Sequence, residues 1–241
     1  MFYDRDRPLE TPLMMITEPA ASFFSFVHIP VIFYLFQHTF SVQRTLVKRP
    51  GVPDSPFIWP YRFVLLQGML TWLLSTVYHA YHTTFTEHLD YYGAAGLLMT
   101  YLYTALLRAS NATEPEWQLI IGSIFLSWFI GHCYFMEFID FHYQYNMWFC
   151  TIIVLLKFLL WIFITWERDG RSHPGMKQLY WLIGSMGAIS LLETYDFPPI
   201  WDTFDAHSIW HALTPIWTYY WTMFMITDLR FFQKSSTTTQ D

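Results

Sequence analysis

The chain has 241 residues, of which 54% are hydrophobic, 21% aromatic and only 13% charged, far below the roughly one-quarter charge of a soluble globular domain. Its apolar residues fall in long blocks, so it reads as an all-α polytopic membrane protein with one membrane domain. A net charge of −6 argues against nucleic-acid binding, and the two cysteines, Cys133 and Cys150, both inside apolar runs, exclude a disulfide-rich domain.

Residues 1–17 form a short polar segment without a signal-peptide pattern. Seven apolar runs follow, at 18–40, 61–81, 91–107, 117–136, 145–166, 177–193 and 207–226, each near the ~20 residues that cross a bilayer core. Pro30 is expected to kink the first run, and Pro215 lies midway along the seventh. Lys157, inside the fifth run, is expected to snorkel or to pair with an acid. A re-entrant sixth run would leave an even number of crossings. Its flanks carry opposite charge, as a crossing segment's should, and seven crossings are expected. The domain plan is thus a short segment at 1–17, a seven-transmembrane helix bundle at 18–228 and a cytosolic tail at 229–241.

The basic residues set the orientation. One flank holds Arg5 and Arg7. The other holds Arg44, Lys48, Arg49, Arg62, Arg108, Arg168, Arg171, Lys177, Arg230 and Lys234, ten against two with Lys157 set aside. The richer flank is expected to be cytosolic and the N-terminal flank lumenal or extracellular. The tripeptide Asn111-Ala112-Thr113 matches a glycosylation sequon on the cytosolic flank, and is read as a chance match that never meets the glycosylation machinery.

His207 and His211 open the seventh run four residues apart, a spacing that places both on one helix face about 6 Å apart along the axis. His79 and Ser75 lie near the end of the second run, and Asp90 opens the third. Helix counting brings all five to the N-terminal flank, with the three histidines within about 8 Å of one membrane level. Three neutral imidazoles can hold one Zn²⁺ and leave a fourth position for water, whose pKa falls to about 7. Asp90 could act as general base or hold a histidine tautomer, and Ser75 could donate to a developing oxyanion. Ser75 has no adjacent base in sequence and sits in no Gly-x-Ser-x-Gly elbow, so it ranks below a metal-activated water as nucleophile. Blander readings stand beside each residue. His79 could bond a neighbouring helix, Asp90 could be an N-cap, Ser75 could bond back to its own helix, and the histidine pair could be chance. Their joint placement favours a site. His132 and Glu137 read as interfacial, and Tyr145-Asn146 as a polar contact between helices. Glu193, Asp196, Asp202 and Asp205 make the site's mouth acidic.

Four stretches together resemble the post-GPI-attachment phospholipase family, GPI-specific phospholipase A2-like lipid remodelling proteins of the CREST hydrolase superfamily. They are Ser75-Thr76-Val77-Tyr78-His79, Thr86-Glu87-His88-Leu89-Asp90-Tyr91, Asp196-Phe197-Pro198-Pro199 and Asp205-Ala206-His207-Ser208-Ile209-Trp210-His211. The likeness runs from about Glu18-Pro19-Ala20 to the last run. The resemblance implies a seven-helix bundle with Zn²⁺ on His79, His207 and His211, and Ser75 and Asp90 in the remaining positions. The implied reaction is hydrolysis of the sn-2 acyl ester of a GPI-anchor lipid, free or on a GPI-anchored protein. The implied setting is the ER or Golgi membrane with a lumenal site. A ceramidase-type amide hydrolase and a non-enzymatic seven-helix receptor or sorting factor with structural zinc are the alternatives. Two features depart from the family: only about 17 residues precede the first run, where members carry a cysteine-rich region, and His142 and Gln144 stand where the pattern favours Asp and Gly.

Overall fold

The computed structural model describes residues 16–46, 55–168, 172–194, 197–201 and 203–238. Seven helices follow in order: α1 (Pro19–Leu46), α2 (Ile58–Ala80), α3 (Thr84–Ser110), α4 (Pro115–Phe138), α5 (Tyr143–Phe163), α6 (Met176–Thr194) and α7 (Ala206–Thr238). A wide π-helical turn, Ile164–Arg168, continues α5. Among the described residues the β pairing is confined to an isolated bridge between Ile200 and Phe204. Arg5, Arg7, Lys48, Arg49, Arg171, Asp196 and Asp202, which enter the charge reading above, lie outside the described residues.

Local chemistry moves several boundaries away from the apolar runs. α3 begins well before residue 91, because Thr83 and Thr86 cap it reciprocally: Thr86 N–H donates to Thr83 Oγ1 at 3.1 Å and Thr83 N–H to Thr86 Oγ1 at 3.0 Å. Asp90 therefore lies inside α3, and the N-cap reading of it is corrected. α7 begins at Ala206 because Asp205 caps it in the same way: Ser208 N–H donates to Asp205 Oδ1 at 2.8 Å and Asp205 N–H to Ser208 Oγ at 3.0 Å. Pro30 and Pro215 sit within unbroken helices. α7 also continues past residue 228 to Thr238, into the expected tail. Asn111 of the sequon has a structural use. It takes the left-handed conformation that ends α3, at φ 56°, with Ala112 N–H returning to Leu107 O at 2.9 Å.

α1 packs on α2 and α7, α2 on α3, α3 on α5, and α6 on α7, while α4 lies against the outside of α3. Only His132 and Met136 of α4 are buried; Leu119, Ile120, Ile124, Leu126 and Ile130 point outward. α1, α2, α4 and α5 with the start of its π turn are long and apolar enough to cross a membrane. α3, α6 and α7 carry more polar residues or fewer residues in all, and much of α3 and α7 is buried in the bundle.

The core centres on Trp161, Trp217, Trp221 and Phe224, with Trp217 and Trp221 stacked at 5.2 Å. Lys157 is buried in this cluster and neither snorkels nor meets a carboxylate among the described residues. Its Nζ lies 4.1 to 5.1 Å from the ring centres of Phe158, Trp221, Trp217 and Tyr101, so four aromatic faces take the place of an acid.

One end of the bundle is held by Asp228, which is fully buried. Tyr61 donates to its Oδ2 at 2.6 Å and Arg108 Nε to both oxygens at 3.0 and 3.1 Å. His173 Nδ1 accepts from Gly175 N–H at 3.0 Å, so its Nε2 carries the proton and donates to Asp228 Oδ1 at 3.2 Å. The carboxylate thus joins α2, α3, α7 and the segment ahead of α6. Arg62, near the same end, donates to Thr39 and Gln43 of α1 and stacks on Phe40 at 3.6 Å. Arg62 and Arg108 are both buried inside the protein rather than lying at its rim.

Removing one partner of a buried ion pair leaves the other charge uncompensated. Asp228→Asn is therefore expected to cost about 3–5 kcal/mol, read as a lower unfolding midpoint in detergent. Adding Arg108→Met should restore part of that loss. A wild-type midpoint for Asp228→Asn would show that the pair does not hold this end together.

Candidate metal centre

The centre lies at the other end of the bundle, about 25 Å from Asp228 by the rise of α7 between residues 211 and 228. His79 occupies the last turn of α2, with Ser75 one turn before it. The Asp205 cap fixes where α7 begins, which puts His207 in the first turn and His211 one turn on. α1 closes the third side. Its entry is pinned to the end of α2 by Glu18 N–H donating to His79 O at 2.9 Å, Thr17 N–H to Ala80 O at 3.2 Å and Ser22 Oγ to Thr76 O at 3.2 Å.

The Nε2 atoms of the three histidines converge. His79 to His207 is 3.5 Å and His207 to His211 is 2.9 Å, and one ligand atom from each of the three lies within 4.8 Å of the others. Two nitrogens held 2.0–2.1 Å from a tetrahedral zinc would stand ~3.4 Å apart. The first separation matches, and the second lies about 0.5 Å inside it, at hydrogen-bond distance. His79, His211 and Ser75 are buried, and Trp72 lies edge-on to His211 at 5.5 Å.

The opposite ring nitrogens of His79 and His211 have partners of their own. His79 Nδ1 lies 2.6 Å from Glu18 Oε2. A carboxylate only accepts, so Nδ1 carries the proton and Nε2 presents a lone pair to the centre. Burial raises the affinity of Glu18 for a proton, but the hydrogen bond from His79 and the positive character of His79, His82 and His207 outweigh it and hold the carboxyl below its ordinary pKa. His211 Nδ1 lies 3.1 Å from Ser25 Oγ, which is 3.3 Å from Ser75 Oγ. These contacts suit three neutral imidazoles turned toward one divalent ion.

Glu18, His79 and His82 make a second group with ligand atoms within 4.8 Å. Filling it would take Nδ1 of His79 away from Glu18, and filling both groups would require a doubly deprotonated ring. The three-histidine group leaves the contact between His79 Nδ1 and Glu18 in place, and is the better suited. His82 stacks on Tyr78 at 4.5 Å with Nε2 3.6 Å from Glu18 Oε1, and burial lowers its pKa against the pull of Glu18.

The structure thus brings Ser75, His79, His207 and His211 together. Asp90 is half-buried near the start of α3, at the same end of the bundle, and belongs to neither ligand group. Glu137 accepts from Tyr92 at 2.6 Å and from His88 at 2.8 Å, while His132 stacks on Phe149 at 3.8 Å. The sequence reading overlooks Glu18, Ser25 and His28. A signal was present: Glu18, Ser22, Ser25 and His28 recur every three or four residues, a polar stripe on one face of an otherwise apolar helix. His28 is fully buried, stacks on Trp72 at 3.4 Å and meets Phe24 O through Nδ1 at 3.0 Å.

Comparison with known proteins places this geometry in context. The Per1-like family matches residues 11–229. A Schizosaccharomyces pombe protein, "Protein PER1 homolog", is 32% identical over 157 residues, which is 64% of this chain and 47% of that protein. The mouse "GPI-specific phospholipase A2-like PGAP3" is 30% identical over 167 residues, 69% of this chain and 52% of that one. Its Xenopus tropicalis namesake is 28% identical over 205 residues, 83% and 61%. The chain spans about half the length of the first two. No solved structure matches. With nearly the whole chain matched, the protein belongs to the Per1-like family.

Proposed function

We propose that the chain is a zinc-dependent membrane hydrolase that removes the sn-2 acyl chain from the lipid of GPI anchors, with the seven helices crossing an ER or Golgi membrane and the histidine end facing the lumen. The observation that carries the proposal is the convergence of three imidazole nitrogens, one from each of His79, His207 and His211. The relatives named GPI-specific phospholipase A2-like PGAP3 supply the substrate class.

His79, His207 and His211 would hold the zinc, which when bound would supply a Lewis acid and lower the pKa of water toward neutrality. The residues of the chain supply the rest. Glu18 keeps the proton of His79 on Nδ1. Ser75 donates to the oxygen of the ester carbonyl as charge builds on it. Asp90 accepts the proton of the attacking water and returns it to the glycerol oxygen that leaves. A structural metal would call for a fourth protein ligand. Asp90 stands outside the histidine group, which favours an open fourth position and hence the enzyme. An amide hydrolase of the ceramidase type would use the same centre, and the names of the relatives favour the ester.

Metal content and turnover test the two halves of the proposal separately. Purified protein should hold one zinc, His211→Ala should lose it, and Glu18→Gln should bind it about 10- to 100-fold more weakly. Wild-type protein that takes up no zinc would overturn the metal centre. Given a GPI lipid labelled in its sn-2 chain, wild type should release the labelled fatty acid and a lyso-lipid. Asp90→Ala should keep the metal and lose about 10²-fold or more in rate. Zinc-loaded wild type that forms no lyso-lipid would overturn the hydrolase.

A further inference from the structure

Ser25 lies in the middle of the first apolar run, fully buried, and no motif includes it. Among the described residues its hydroxyl meets two groups, His211 Nδ1 at 3.1 Å and Ser75 Oγ at 3.3 Å, the second at the long end for two hydroxyls. Among the described residues Ser75 in turn meets Ser25 alone. The three groups form a line from α7 through α1 to α2, and each has one proton to place.

Two arrangements of those protons are open to the line. If His211 Nδ1 is bare, Ser25 donates to it and receives the proton of Ser75, which then turns only lone pairs outward. If His211 Nδ1 carries the proton, it donates to Ser25, Ser25 donates to Ser75, and the Ser75 proton is left for a substrate oxygen. An imidazole that offers Nε2 to a metal must carry its proton on Nδ1. Ligation at His211 Nε2 therefore selects the second arrangement.

We propose that Ser25 is a positioning residue that passes the tautomer of metal-bound His211 to Ser75 and makes Ser75 a hydrogen-bond donor to the substrate. This rests on the metal-dependent hydrolase reading above. It assigns Ser75 to oxyanion stabilisation and not to nucleophilic attack, since a hydroxyl that receives from Ser25 keeps its own proton to donate. It also gives α1 a share in the chemistry.

The test measures zinc affinity and hydrolysis of the labelled GPI lipid for wild type, Ser25→Ala, Ser75→Ala and the double variant. Ser25→Ala removes the acceptor of His211 Nδ1, so zinc should dissociate about tenfold more readily, while Ser75→Ala leaves zinc affinity at the wild-type value. At saturating zinc, Ser25→Ala should lower kcat about tenfold with KM unchanged, a smaller loss than that of Ser75→Ala, which removes the donor itself. The double variant should be no slower than Ser75→Ala, because Ser25 acts through Ser75. Losses that multiply in the double variant, or a Ser25→Ala enzyme with wild-type kcat, would overturn the proposal. A wild type that binds zinc but releases no fatty acid would sink the hydrolase reading instead, leaving the zinc-affinity comparison to decide whether Ser25 holds His211.

Discussion

Both nitrogens of the His79 ring are committed, and the arrangement of three helices depends on it. Nδ1 meets Glu18 at 2.6 Å, and Nε2 faces His207 at 3.5 Å. The first contact holds the entry of α1 against the end of α2, and the second brings α7 to the same place. A histidine with one free nitrogen could have been satisfied by any backbone carbonyl nearby. With both engaged, the ring sets which end of α1 meets which end of α7. It also sets which lone pair is left for an ion, because the carboxylate of Glu18 can only accept.

The protein keeps its strongest polar chemistry at two ends about 25 Å apart and fills the space between with aromatic and aliphatic packing. At one end Asp228 collects donors until its charge is balanced by Arg108 and its lone pairs by Tyr61 and His173. At the other, the three histidines turn their Nε2 atoms toward one another. The first arrangement is closed: every group is satisfied by the protein, as suits a clamp. The second sets ring nitrogens against one another, a grouping that an ion can enter. This division explains why α3 and α7 are less apolar than a lipid-facing span. They carry Arg108, His211 and Asp228, all buried in the bundle, while α4 and α5 present leucine, isoleucine and phenylalanine to the outside.

Much of the histidine group was legible in the sequence because its members obey local rules. Four-residue spacing puts His207 and His211 on one face, and counting helices puts His79 at the same end. Glu18 and Ser25 were hidden for the opposite reason. Their partners stand 61 and 186 residues away, and what they do is created by the docking of α1, not by their own neighbours. Asp228 escaped because it lies just beyond the last apolar run, where a charge reads as the edge of a span; the continuation of α7 past it keeps it buried. Lys157 was legible as anomalous but not in its resolution, since nothing local announces that Tyr101, Trp217 and Trp221 will converge on it from α3 and α7. The start of α3 was misplaced because Thr83 and Thr86 are polar, and a search for apolar runs passes over the very residues that cap a helix.

The stripe on α1 ties these strands together. Glu18, Ser22, Ser25 and His28 interrupt a helix whose other residues suit a bilayer, and each interruption costs stability unless it finds a partner. Glu18 finds His79, Ser22 the carbonyl of Thr76, Ser25 both His211 and Ser75, and His28 its own Phe24 carbonyl and the face of Trp72. Packing alone would have been better served by leucine or alanine at these positions. Glu18 and Ser25 reach the rings of His79 and His211 on the side away from the histidine group, where a contact bears on proton placement. A helix outside the histidine group thereby meets two of its three rings, at His79 Nδ1 and His211 Nδ1.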